Sequence, residues 1–330
     1  MTPNRVALYG IVIFRPDVRC SEDALGQPID VSVGGVRGTL TLPSLPEWTG
    51  DYLHKPLIAP GPARTWKRGE EPIDWGSPFS VHAGRGGMIR RGLIEFQTDA
   101  DSCDAAAQKI YDAFRSWFHL FEQYVKLFTP QRTSGAHVVS ESPGPIRLFV
   151  EESNQLRPVS TNREMRINIY MSWKDESLHL DKLKEACRLS SLGLHPRLEH
   201  QLMLEAYSAR NNADFRKAII EAATALEVVL TNRALEEFRI RDISFGNALL
   251  KKFRALGGRL ELVKVLEIQF PDKDKKYVDL IVNPRNEVIH TGQSPAEPLV
   301  NQVITEVERL VRWFSPQVHQ DENRSQTGAK

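Results

Sequence analysis

Apolar positions follow two regimes along the chain. Up to about residue 174 they come mostly as short runs rich in β-branched and aromatic residues. Residues 6–14 (VALYGIVIF) predict a strand. Residues 29–33 and 36–42 flank Gly34-Gly35 and predict a hairpin. Residues 88–97, 146–150 and 165–173 predict further strands, whereas 43–79, rich in Pro, Gly and Trp, reads as loop with one short strand at most. One helix interrupts this half, at 101–128. Its Ile110, Phe114, Trp117, Phe121, Tyr124 and Phe128 alternate steps of four and three, which places them on one stripe. Ser102 is its expected N-cap and Pro130 its stop. An aromatic stripe of this kind is core rather than a cofactor site.

After Lys174 the pattern is helical throughout. Helices are predicted at 178–192, closed by Gly193, and at 196–210, with Pro196 in the first turn. The next, 214–238, buries Phe215, Ile219, Ala222, Leu226 and Val229. Then come 244–256, ending at Gly257-Gly258; 260–270, ending at Pro271; 274–282; and a helix starting at Asn283-Pro284. Ser294-Pro295-Ala296-Glu297 has the form of a capping box and opens a last helix to about Phe314. The expected fold is therefore an α+β N-terminal domain of unassigned type (1–175), an all-α helical bundle (176–316) and a polar, disordered tail (317–330). No internal repeat is visible.

Composition narrows the function classes. The chain has 330 residues, 41% hydrophobic and 26% charged, an ordinary soluble balance. With a net charge of +1, any nucleic-acid partner must be held by a local patch. Cys20, Cys103 and Cys187 are few, distant and odd in number, so a fully paired disulfide framework and a CxxC zinc site are both excluded. They are expected as buried thiols. Residues 1–14 lack a long apolar core and a cleavage site, and no run of 18 apolar residues occurs. No membrane span is expected, and the expected location is cytoplasmic.

An Arg followed within a few residues by His occurs four times: Arg132 to His137, Arg188 to His195, Arg285 to His290 and Arg312 to His319. The first lies in loop-like sequence, the second crosses Gly193, and the fourth runs through Pro316. Only the third has Asn directly after the Arg and predicted helices on both sides. Arg285-Asn286-x-x-x-His290, followed by Thr291-Gly292, together with the upstream run 218–227 (AIIEAATALE), resembles the HEPN superfamily, in its Apea-like form. The resemblance covers the last 120 to 150 residues and says nothing of the first 170.

What the resemblance implies is a metal-independent endoribonuclease of the toxin or phage-defence kind, acting on single-stranded RNA as a homodimer whose two motifs share one cleft. No cofactor is expected. The N-terminal domain would sense or regulate. The chemistry has a physical basis. RNA is cut without metal when its own 2′-hydroxyl attacks the adjacent phosphate, which needs proton transfer near neutral pH and a cation for the charge on phosphate. Histidine titrates in that range, and arginine grips two phosphate oxygens at once. His290 is thus the expected general acid/base and Arg285 the phosphate clamp. Asn286 would orient the site or bond RNA, and Glu227, or Glu221 in its place, would orient Arg285 or His290. On a straight helix five residues turn by roughly 500°, leaving the two side chains about 140° apart. They converge only in a groove beside another helix or near a helix end. The alternative is a non-catalytic HEPN dimerisation or nucleotide-binding scaffold with a ligand-sensing N-terminal domain, or a structural partner in a larger complex. In that case His290 is a structural histidine and Arg285 half of a salt bridge.

Other candidates carry less. Lys251-Lys252-Phe253-Arg254 reads as a wet helix face or as lining for an RNA cleft. Trp66, Lys67, Arg68, Trp75, Arg85, Arg90 and Arg91 form either a basic aromatic surface for single strands or a solvated loop with tryptophan on the core. Gly84-Arg85-Gly86-Gly87 is followed by no Gly-Lys-Ser/Thr, so it is a tight turn rather than a P-loop. His195 and His200 beside Glu199 give a weak metal pattern.

Overall fold

The structure, a computed structural model, describes residues 5–46, 52–54, 56, 67–68, 71–81, 84–129, 146–152, 155–158, 177–272 and 276–316. The expected strand at 165–173, the stop at Pro130, Trp66 and the tail from 317 lie outside these residues. The chain divides into two compact units, Met1–His195 and Pro196–Lys330.

The first unit is an antiparallel sheet with helices on it. In chain order its strands are β1 (Arg5–Ser21), β2 (Pro28–Val33), β3 (Val36–Thr41), β4 (Lys67–Arg68), β5 (Glu71–Pro72), β6 (Gly76–Val81), β7 (Gly84–Asp99), β8 (Ile146–Glu152) and β9 (Gln155–Pro158). Among the described residues seven of them form one sheet in the order β2-β3-β7-β1-β8-β9, with β6 also paired to β7; β4 and β5 make a separate ribbon. The β1–β7 pairing spans both strands and slips between Ile13 and Val18, where β1 bulges. Gly34 and Gly35 turn the β2–β3 hairpin with φ of 59° and 78°, the left-handed pair that a two-residue hairpin turn needs. Gly84-Arg85-Gly86-Gly87 is not a turn but the start of β7. Small residues are required there because a Cβ on Gly86 would stand 2.3 Å from the Cys20 carbonyl oxygen and 2.5 Å from the Phe79 ring.

Helix α1 (Cys103–Phe128) lays its aromatic stripe on this sheet. Ile110, Phe114, Trp117, Phe121 and Tyr124 are buried, and Phe14 of β1 meets Phe118 and Phe121 with ring centroids 6.2 and 6.0 Å apart. Tyr9, Ile11 and Leu93 form a smaller apolar cluster. The compositional change at 174–178 does not coincide with the unit boundary, because helix α2 (Leu180–Ser191) packs on α1 and β2. Polar contacts fix it there. Ser191 Oγ accepts from Ser32 N at 2.8 Å and Trp117 Nε1 at 3.2 Å, Leu178 N donates to Arg19 O, and Asp23 Oδ2 accepts from Leu180 N at 3.0 Å. Cys20, Cys103 and Cys187 are free and buried. Burial pushes the thiols of Cys20 and Cys187 well above the usual range.

The second unit is helical: α3 (Leu198–Asn211), α4 (Phe215–Ile240), α5 (Gly246–Lys252), α6 (Ala255–Val265), α7 (Asn283–Thr291) and α8 (Glu297–Phe314). Asp214 caps α4, its carboxylate accepting from Lys217 N at 3.2 Å. Helix α4 is the axis of the bundle and packs against α3, α8, α6 and α7. Ile219, Ala222, Leu226 and Val229 lie in its buried stripe, together with Ala225 and Leu230.

Several predicted ends move. Pro196 precedes α3 by two residues, and Arg197 is the N-cap. The expected helix 244–256 is two helices, and Gly257-Gly258 lies inside α6 rather than ending a helix. These glycines serve close packing: a Cβ on Gly258 would stand 2.7 Å from the Phe253 carbonyl carbon. Arg259 also reaches back to the Leu250 and Phe253 carbonyls at 2.8 and 2.9 Å. Helix α6 stops at Val265, well short of Pro271, because Glu267 turns left-handed (φ 56°) and returns Ile268 to the core. The Ser294 capping box does not form; Ala296 is the N-cap of α8 and Pro298 fills the first turn. Asn283-Pro284 does open α7, as expected, but not from a loop. A π-helical turn, Val278–Val282, runs into α7 without a break. Proline has no N–H for the carbonyl four residues back and its ring crowds that carbonyl, and the wider turn ahead of Pro284 gives it room.

Candidate functional site

Arg285, Asn286 and His290 all lie on α7, behind the π-helical turn. Pro284 and Val288 are the buried positions of this helix, and they set its inward face towards α4. Arg285 is next to that face and half-buried; His290, in the last turn, is exposed. Asn286 Oδ1 accepts from Arg285 Nη1 at 3.0 Å, so the asparagine holds the guanidinium. Gly292, at φ 70°, closes the helix after Thr291. Regular α geometry from Asn283 to Thr291 keeps the Arg285 and His290 side chains about 140° apart. On one copy of α7 the two side chains therefore leave the helix in different directions.

Glu227 is half-buried on α4, and among the described residues its carboxylate has no ion-pair partner. Arg285 is held by Asn286 rather than by Glu227. Glu221 is also half-buried on α4 and contributes to the field that holds Lys217 charged. Lys251 and Lys252 end α5 and Arg254 is the N-cap of α6; all three are exposed. Arg254 Nε donates to Lys251 O at 3.0 Å. The following helix, α6, packs against the π-helical turn.

The other sequence candidates are engaged in the fold. Trp75 is buried. Arg90 pairs with Asp17 at 2.9 Å and with Asp74; the Asp17 hydrogen bond outweighs partial burial and holds Arg90 above the usual arginine range. Arg91 donates to the Asp74 carbonyl. The basic aromatic surface proposed for 66–91 therefore does not present Arg90, Arg91 or Trp75 as free binding groups. Glu199 and His200 are buried. Glu199 accepts from Ser315 Oγ at 2.7 Å and pairs with Arg197 at 2.8 Å, and His200 Nε2 lies 3.0 Å from Ser315 O. These contacts tie the start of α3 to the end of α8. Among the described residues no group of three or more His, Cys, Asp or Glu is placed to hold a metal ion, and no helix is long and apolar enough to cross a membrane.

Reading the sequence by helical period missed Phe245. It sits at the N-cap of α5 with 61% of its surface exposed, although an apolar residue inside a predicted helix is normally taken as core. Its sequence neighbourhood is basic, with Arg239 and Arg241 before it and Lys251, Lys252 and Arg254 after it. No protein-family model, curated protein or solved structure matches the chain.

Proposed function

We propose that the helical unit is a metal-independent endoribonuclease of the HEPN type, with Arg285 and His290 as its catalytic pair and a second copy of the chain completing the cleft. One observation supports this reading above the rest. Arg285, Asn286 and His290 occupy a single helix docked on the axis of the bundle, with the guanidinium steadied by Asn286 and the imidazole in solvent.

In this reading His290 takes the proton from a ribose 2′-hydroxyl. The 2′-oxygen attacks the adjacent phosphorus, the bond from phosphorus to the 5′-oxygen breaks, and that oxygen leaves with a proton. Arg285 stabilises the charge that builds on the phosphate oxygens. The products are a 2′,3′-cyclic phosphate, or its opened form, and a 5′-hydroxyl. The angular separation on α7 is the argument for a homodimer. A cleft lined by α7 from two copies supplies the convergence that one copy lacks. Ile289, 40% exposed one turn beyond Arg285, gives that contact an apolar element. The first unit would restrain or trigger cleavage.

The test is product chemistry. A labelled single-stranded RNA incubated with the protein in EDTA is expected to yield fragments ending in 2′,3′-cyclic phosphate, and the same strand with 2′-deoxyribose throughout is expected to stay intact. Equal cutting of the two strands contradicts the mechanism. Tight binding without cutting favours the scaffold reading.

A further inference from the structure

The corner where α4 gives way to α5 and α6 carries a charge the rest of the chain does not. Residues 239–259 hold six basic residues and one acidic residue, Asp242, in a chain whose net charge is +1. Two of the six belong to the fold: Arg241 binds Glu237 Oε2 and Leu266 O at 3.1 and 2.7 Å, and Arg259 binds the carbonyls that close α5. The other four, Arg239, Lys251, Lys252 and Arg254, are exposed, and among the described residues none of them forms an ion pair.

Phe245 lies between Arg239 and Lys251 in sequence, at the N-cap of α5, the helix that Lys251 and Lys252 end. The chain leaves α4 through Asp242 in the left-handed conformation (φ 52°), and Ile243 N closes the turn on Phe238 O at 2.8 Å. Gly246 then takes the inward position: a Cβ there would lie 2.4 Å from the Phe238 ring. With Gly246 seated on Phe238, its neighbour Phe245 is turned to solvent, 61% exposed. Ile240, at the end of α4, is likewise 63% exposed, so this corner leaves two large apolar side chains in solvent.

Exposed cations before and after an exposed ring in sequence, with Lys252 Nζ 5.5 Å from the Phe253 ring centroid, match the chemistry of a single-stranded nucleic acid. Cations take successive phosphates, and a base stacks on the aromatic face. An acidic protein would use the cations and leave the ring idle, and a duplex keeps its bases stacked away from it. We propose that Arg239, Lys251, Lys252, Arg254 and Phe245 form a grip for single-stranded RNA. Helix α6, whose N-cap is Arg254, packs against the π-helical turn that leads into α7. The proposal rests on the endoribonuclease reading for the choice of RNA, but not on cleavage by Arg285 and His290.

The experiment uses the full chain carrying His290→Ala, so that binding is measured apart from cutting, with a fluorescent oligouridylate titrated over a range of salt. Four phosphate contacts predict that log K falls against log salt with a slope of about −3. Joint substitution Lys251→Ala and Lys252→Ala is expected to bring the slope to about −1.5. Phe245→Ala is expected to weaken binding about tenfold or more at every salt concentration with the slope unchanged, and Phe245→Trp to restore it. A ring 61% exposed has little packing to lose, so the melting temperature of Phe245→Ala should stay close to the parent's. The proposal is overturned if the protein does not bind at low salt, or if the lysine and phenylalanine variants bind as the parent does. It is also overturned if a duplex binds as tightly as the single strand, or if Phe245→Ala abolishes self-association instead, which would make a second copy the occupant. Retained binding by a protein that never cuts RNA would sink the nuclease reading and leave this one standing.

Discussion

At the scale of single residues, side chains of one chemical type have quite different employment, and burial and partners decide which. Arg197 and Arg285 are both half-buried arginines of the second unit. Arg197 is paired with Glu199, whose side chain is 2% exposed, while among the described residues Arg285 is bonded to the neutral Asn286 oxygen. The first pair is structural. Glu199→Ala removes the acceptor of both Arg197 and Ser315 and should lower unfolding free energy by about 3 kcal/mol, measured by urea denaturation. Glu199→Gln, which keeps an acceptor for Ser315, should cost less. A loss under about 1 kcal/mol for the alanine variant would show that the contact does not hold α3 to α8. Arg285 and His290 could be singled out from the sequence because the resemblance rests on residue order alone. The partner of Arg285 could not: Glu227 and Asn286 both suit it chemically, and only the packing of α7 on α4 selects between them.

At the scale of elements, caps and turns hold the answers that periodicity does not. The β2–β3 hairpin was legible because Gly34-Gly35 has one ready use between two apolar runs. Gly257-Gly258 was not, since a glycine pair serves equally to end a helix and to let two segments approach. The π-helical turn before Pro284 has no signature in the apolar pattern, which it shifts by one residue only. The cap on α2 comes from far away in sequence and is therefore also illegible: Asp23 accepts from Leu180 N. Partial burial opposes ionisation of Asp23, but the Ser21 hydroxyl, the Leu180 amide and His179 together hold its carboxyl below the usual aspartate range. A depressed carboxylate stabilises the fold above its unfolded-state pKa and loses that contribution as pH falls through the folded value. Asp23→Ala should therefore cost about 1 kcal/mol at pH 7. Its stability should converge on the parent's in strongly acidic solution, below the usual aspartate range. A stability gap that persists unchanged into acid would contradict the assignment of the cap to the ionised carboxylate.

At the scale of the molecule, the change from strand-forming to helical sequence announced an α+β part followed by a helical part. It did not announce the division at His195, because α2 is helical in sequence yet belongs to the sheet's core through Ser191, Trp117 and Leu178. A fragment spanning 196–330 should accordingly fold alone, with helical circular dichroism and a cooperative melt. A fragment that folds only when begun at residue 176 would contradict that boundary. The functional account is likewise a claim about the whole molecule, since it needs two copies to bring Arg285 and His290 together. Its most direct test is cleavage of a labelled single-stranded RNA in EDTA by the parent chain, Arg285→Ala and His290→Ala, with circular dichroism confirming that all three are folded. The account predicts cutting by the parent that each substitution reduces by at least about a hundredfold. Cutting that survives both substitutions would contradict it.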